Sequence, residues 1–187
     1  MKRVLLLLAD GFEEIEALTV ADVLRRGGMI CHLCSMDEED MVRGTHNIYV
    51  KCDVKFDYIK IDTYDGVVLP GGMPGASNLK DDYRVIELIK KYDREGKIIA
   101  AICAAPIILQ EADILKGKEI TSYPSFEGEF NESIYLTEKV VQWDNIITSR
   151  GPSTAIDFSF RILENFATTK EVDNLKEDML LASNKRG

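Results

Sequence analysis

Lys97-Ile98-Ile99-Ala100-Ala101-Ile102-Cys103-Ala104-Ala105-Pro106, continued by Ile107-Ile108-Leu109-Gln110, is an apolar run that breaks at a cysteine and resumes with helical character. A continuous apolar run, as opposed to an alternating one, indicates a strand buried on both faces, the signature of a parallel sheet covered by helices. The chain therefore turns sharply from strand to helix at Cys103. Such a junction holds a side chain above the sheet edge and points helix N-terminal amides at it, which favours a thiolate. The next residue is Ala104, and the two histidines, His32 and His46, lie far upstream. In sequence, no imidazole base adjoins the thiol.

Working outward, further strand-like runs are Val4 to Ala9, Met29 to Ser35, Gly66 to Leu69 and Asn145 to Ser149, with helical segments between them. The order is that of an α/β fold. A first helix is predicted over 13–26, with Ala17, Val20, Ala21 and Leu24 on one face and Gly27-Gly28 at its end. A second is predicted over 81–94, carrying Val85, Leu88, Ile89 and Tyr92 on one stripe and stopping at Gly96. The alternating Asn47-Ile48-Tyr49-Val50 reads as a hairpin or edge strand, and 119–123 and 135–143 as further strands, the latter an antiparallel extension. A last large helix begins at Gly151-Pro152, with Ile156, Ser159, Phe160, Leu163 and Ala167 expected on its buried face. The tail over 170–187 is expected to be a short helix with a frayed end.

The 187 residues are expected to form one domain spanning 1–187, and 45% apolar with 29% charged residues is the balance of a soluble globular protein. A net charge of −9 argues against gripping a nucleic-acid backbone or an anionic membrane surface, so small molecules or proteins are the expected partners. The run from Val4 to Ala9 is too short for a signal-peptide core or a membrane span. Of the four cysteines, Cys31 and Cys34 form a CxxC inside a strand, where residues three apart point to opposite faces; neither a zinc knuckle nor a redox pair follows. A reducing, cytoplasmic location is the simpler reading.

Three segments end strands of the expected sheet, where open α/β sheets bind ligands. They are Ala9 to Glu16, Leu69-Pro70-Gly71-Gly72-Met73-Pro74-Gly75, and Ala101-Ile102-Cys103-Ala104. A nucleophilic thiol needs thiolate character, donors for a developing oxyanion and a group that moves protons. Cys103 supplies the sulfur, and the amides of Gly71 and Gly72, bare of side chains, can approach an oxygen closely. Glu13, Glu14 and Glu16 compete for the third role. Glu13 and Glu14 would sit exposed in the first helical turn, where carboxylates complement the dipole with no further function. Glu16, flanked by Ile15, Ala17 and Leu18, is the one expected to face the crevice. A carboxylate beside a thiolate raises both pKa values, so the pair would share one proton, with protonated Glu16 donating to the sulfur. Arg150 has an ordinary explanation as a surface ion pair, and Trp143 and the tyrosines as packing.

Taken together, the stretches ADGFEEIEAL, PGGMPGASNL, AAICAAP and TSRGP resemble the DJ-1/ThiJ/PfpI superfamily, and most closely its DJ-1 branch, which includes bacterial ThiJ-like members. Their order and spacing cover nearly the whole chain. The resemblance implies a flavodoxin-like three-layer sandwich, usually homodimeric, with Cys103 as the easily oxidised cysteine and Glu16 as its hydrogen-bonding acid. It also implies an oxyanion site from the amides of Gly71, Gly72 and Ala104, and a structural role for Arg150. PfpI-type peptidases and class I amidotransferases, which share the fold, rely on a histidine; position 104 is alanine here, which argues against that chemistry. Where the branch often carries a histidine near the cysteine, this chain has Tyr123, able to hydrogen-bond but not to act as a base near neutral pH.

Two functions follow from the resemblance. One is cysteine-dependent chemistry on reactive carbonyls, of glyoxalase III or deglycase type, acting on small aldehydes or glycated amines without metal or organic cofactor. The other is a non-enzymatic redox sensor or stress chaperone acting through Cys103 oxidation. An amidotransferase or peptidase is the weakest alternative.

Overall fold

The computed structural model describes residues 1–181. A seven-stranded sheet runs through the molecule, built from β1 (Arg3–Leu8), β2 (Ile30–Ser35), β5 (Val54–Lys55), β6 (Gly66–Leu69), β7 (Ile98–Ile102), β10 (Val140–Trp143) and β11 (Ile146–Ser149). Its order is β10-β11-β7-β6-β1-β2-β5. Every neighbouring pair is parallel except β10 with β11. A hairpin, β3 (Met41–Arg43) with β4 (Tyr49–Lys51), and a two-stranded pair, β8 (Glu119–Ile120) with β9 (Ile134–Tyr135), lie outside it. The helices are α1 (Glu14–Arg26), α2 (Gly75–Asp81), α3 (Tyr83–Arg94), α4 (Pro106–Glu111), α5 (Ala155–Glu164) and α6 (Thr169–Asp178).

The apolar strands explain the three layers. Successive side chains of a strand point to opposite faces, so an unbroken apolar run feeds two cores at once. Val4, Leu6, Leu8, Ala100 and Ile102 pack under α1, α5 and α6, while Leu5, Leu7, Ile99 and Ala101 pack under α3 and α4. Cys31 and Cys34 divide the same way, one into each core, and both are free thiols. Each fully buried leucine of this kind stabilises by roughly 1.5–3 kcal/mol relative to exposure.

Some boundaries differ from the sequence reading, for local reasons. The helix expected over 81–94 begins at Tyr83, because Asp82 is extended and its side chain accepts a hydrogen bond from the Arg84 amide, capping α3. Residues 75–81 form a separate helix, α2. At Gly151-Pro152 a single 3-10 turn precedes α5. Starting the α-helix at Ala155 keeps Ser159, Phe160 and Leu163 buried as expected, adds Ala155, Phe158 and Ile162 to the buried face, and leaves Ile156 exposed. The strand expected over 119–123 ends at Ile120, and 135–143 splits into β9 and β10, of which only β10 extends the sheet antiparallel. The tail helix is α6, closed by a capping box between Thr168 and Glu171. The frayed end expected after it lies at 182–187, outside the described residues.

Candidate active site

The three loops expected to converge do so beyond the carboxyl ends of β1, β6 and β7, which are neighbours in the sheet. Cys103 follows β7 with φ +64°, a left-handed conformation that costs a non-glycine residue on the order of 1–3 kcal/mol. The surrounding chain holds it there. Its amide donates to the Ser149 carbonyl at 2.9 Å, and its carbonyl accepts from the Tyr123 amide at 2.8 Å. The strained turn lifts the thiol clear of the sheet, so that Cys103 alone of the four cysteines is partly exposed.

Glu16 reaches this elbow from the first turns of α1 and is fully buried. Its Oε2 accepts from the Gly71 amide at 2.7 Å. Its Oε1 is buried with no hydrogen-bond partner of good geometry, which a proton on that oxygen, directed at the neighbouring thiol, would resolve. Burial pushes the Glu16 carboxyl up to about 7, against the lowering pull of the Gly71 amide and the Cys103 contact. The Cys103 thiol is pushed up too, first by burial and then by the charge of Glu16, while the amides of Ala104 and Gly72 pull it down. The repulsion lasts only while Glu16 is charged. A proton on Glu16 turns the same contact into a hydrogen bond donated to sulfur.

The amide set differs from the sequence reading in one member. Gly72 and Ala104 direct their amides at the Cys103 sulfur, but the Gly71 amide is taken by Glu16 and is not available to an oxyanion. Gly72 itself is a steric requirement: at φ +86°, a Cβ there would lie 2.4 Å from the Glu13 nitrogen and 2.5 Å from the Gly11 carbonyl oxygen. Tyr123 meets the elbow through its backbone, while its ring is half-exposed beside Gly151. Arg150 follows the Ser149 that anchors Cys103; it forms no ion pair among the described residues, and its buried Nη1 has no partner.

Glu13 and Glu14 correct a second expectation, since both are buried rather than exposed. Glu13 is the N-cap residue of α1, yet its side chain caps nothing. Glu14 accepts from the His46 amide at 2.7 Å and lies 2.8 Å from its Nδ1. This contact draws the His46 imidazole upward in pKa and Glu14 downward, although burial alone would raise Glu14. His46 arrives on the β3–β4 hairpin, which is laced to the β1 loop by Gly11 to Arg43 and Thr45 to Phe12 backbone bonds of 2.7 and 2.8 Å. Sequence distance concealed this histidine. Only the hairpin signal at Asn47 to Val50 hinted that the segment could fold back.

The DJ-1/PfpI family profile matches residues 2–165. The chain belongs to the DJ-1/PfpI family. It is 36% identical over 185 residues to Drosophila melanogaster Protein dj-1beta, covering 98% of this chain and 99% of that protein. The crystal structure of Drosophila melanogaster DJ-1beta superposes with a TM-score of 0.92 at 35% identity, covering 96% of this chain and 97% of the other. The flavodoxin-like α/β fold is thus that of the DJ-1/PfpI family. A Caenorhabditis elegans relative named glutathione-independent glyoxalase DJR-1.2 is 32% identical over 180 residues, covering 95% of each chain. Among the described residues, no helix is long and apolar enough to cross a membrane.

Proposed function

We propose that this DJ-1/PfpI protein is a cysteine-dependent enzyme that converts 2-oxoaldehydes to 2-hydroxy acids, with removal of early carbonyl adducts from amines as the related activity. The observation that carries the reading is a partly exposed thiol on a strained elbow, coupled to a fully buried carboxyl that is pushed up to about 7. The glyoxalase name of the Caenorhabditis elegans relative supports the reaction class.

In this mechanism the Cys103 thiolate adds to the aldehyde carbon of methylglyoxal, and the new alkoxide is received by the Gly72 and Ala104 amides. Protonation of the alkoxide gives a hemithioacetal. Glu16 relays protons while a hydrogen moves from the former aldehyde carbon to the adjacent ketone carbon, leaving a thioester of lactate. Water hydrolyses the thioester, releasing lactate and returning the thiol. A carboxyl that ionises near neutral pH is suited to both giving and taking a proton. Ala104 and Tyr123 supply no imidazole, which sets this chemistry apart from peptidase or amidotransferase action.

Purified protein should form lactate from methylglyoxal without glutathione, and Cys103→Ala should abolish it. Absence of lactate from the wild type, or an unchanged rate in the variant, refutes the reading.

A redox-sensing or chaperone role rests on one further observation: Cys31, Cys34 and Cys52 are buried while Cys103 is partly exposed, so Cys103 is the accessible thiol. Intact-mass analysis after mild peroxide tests it, a stable gain of two oxygens confined to Cys103 being the expected result. The reading includes a cytoplasmic location, in keeping with unpaired thiols. It also includes a homodimer, supported by the exposed Ile15, Leu18, Ile48 and Tyr49 on α1 and the hairpin. Light scattering should give twice the 21.1 kDa chain mass.

A further inference from the structure

Glu13, Glu14 and His46 form a second cluster, at the rim of the Cys103 crevice, that the carbonyl chemistry leaves unused. We propose that these three residues bind one divalent transition-metal cation of the Zn2+ class. Their ligand atoms all lie within 4.8 Å of one another. His46 Nδ1 stands 2.8 Å from an oxygen of Glu14 and 3.7 Å from an oxygen of Glu13. A tetrahedral zinc with bonds of about 2.0–2.1 Å holds its ligands about 3.3 Å apart, between the two distances from His46, and the carboxylate oxygens, within 4.8 Å of each other, would draw together on binding.

The two carboxylates give the cluster a reason to attract a cation. Glu13 is only 8% exposed and makes no side-chain hydrogen bond among the described residues, although it heads a helix whose N-cap role it could have filled. Its carboxyl is instead directed at the His46 ring. That ring, 3.7 Å away, is its one charged partner among the described residues, so the carboxylate keeps its lone pairs for a cation. Glu14 is fixed by two contacts to His46, so two of the three ligands are already oriented. The His46 side chain is 67% exposed, which leaves an entry path and a fourth position open to solvent. On binding, the cation replaces a proton at Nδ1, and the neutral ring keeps its proton on Nε2. An imidazole beside two carboxylates suits zinc better than magnesium or calcium, which prefer all-oxygen shells. The charge closes as well, because two carboxylates and a neutral imidazole balance one Zn2+.

Chelator-treated protein is titrated with ZnCl2 by calorimetry, and separately with Co2+ followed in the visible spectrum. One saturable equivalent per chain is expected, with Co2+ d–d bands of a four-coordinate site and no near-ultraviolet sulfur-to-cobalt band. His46→Ala and Glu13→Gln, both checked for fold by circular dichroism, should each weaken binding by about tenfold or more. Cys103→Ala should bind as the wild type does. Absence of saturable binding, undiminished affinity in His46→Ala, or loss of binding in Cys103→Ala overturns the proposal, the last by moving the metal to the thiol. None of these readouts depends on the carbonyl activity.

Discussion

Replacing Glu16 with glutamine should change the pH dependence of folding in a way that reports directly on the buried carboxyl. Burial raises this group from its ordinary value of 4.5 to about 7 in the folded protein. The folded state therefore binds the proton more tightly than the unfolded state does. Below about pH 4.5 both states are protonated and the group's contribution is fully present; it is lost as pH rises towards 7, and stays lost above that. At about 1.4 kcal/mol per pH unit, the interval corresponds to about 3 kcal/mol. Other carboxylates work in the opposite sense, since ion pairing and hydrogen bonding lower Asp65, Asp82 and Glu171. The wild-type curve alone is thus uninformative, and the difference between Glu16→Gln and wild type is the quantity to measure. Urea unfolding at a series of pH values, followed by the fluorescence of the single tryptophan Trp143, provides it. The stability of Glu16→Gln relative to wild type should rise by up to about 3 kcal/mol between pH 4.5 and 7 and then level off. Parallel curves, or a difference that levels off by pH 5, would refute a neutral Glu16 as the resting acid of the pair.

Three further outcomes follow from the geometry. In Gly71→Ala the new Cβ would lie 2.6 Å from the Cys103 Cβ and 2.8 Å from the Glu16 Oε2, so the fold should lose about 1–3 kcal/mol and iodoacetamide should label Cys103 more slowly. Mass mapping of wild-type protein after brief alkylation at pH 8 should find the label on Cys103 alone, because Cys31, Cys34 and Cys52 are buried out of reach of the reagent while Cys103 is partly exposed. Thr168→Ala removes the capping hydroxyl of α6 and should cost about 1 kcal/mol in urea unfolding, with the Cys103 labelling rate unaltered.

The sheet was legible because its strands are continuous apolar runs of the length a buried parallel strand needs; Gly66–Leu69 coincides with the expected strand from end to end. The α1 face of Ala17, Val20, Ala21 and Leu24 was equally plain, since all four are buried. What escaped was decided by contacts between distant parts of the chain. Ile156 shares its apolar character with Phe158, and only the 3-10 turn before α5 determines which faces the core. Gly71 and Gly72 are indistinguishable as adjacent small residues, yet one amide is aimed at Glu16 and the other at the thiol. Glu13 and Glu14 look like ordinary first-turn acids until the β3–β4 hairpin covers them. The convergence of Glu16 with Cys103 was within reach because both follow ends of neighbouring strands; the arrival of His46 depended on a hairpin crossing that no periodicity records.

The link from Glu16 to Gly71 also makes the sulfur sensitive to events far from it. The carboxyl rides on α1, whose far side packs against α5, while its anchoring amide belongs to the loop after β6 and the thiol to the loop after β7. A small slide of α1 along α5 would load both the Glu16 carboxyl bond to the Gly71 amide and the 2.9 Å bond from the Glu13 amide to the Gly71 carbonyl, shifting acid and loop together against the cysteine. Helix packing thereby becomes a mechanical setting for chemical reactivity: anything that presses on the outer face of α1 tunes the nucleophile from a distance.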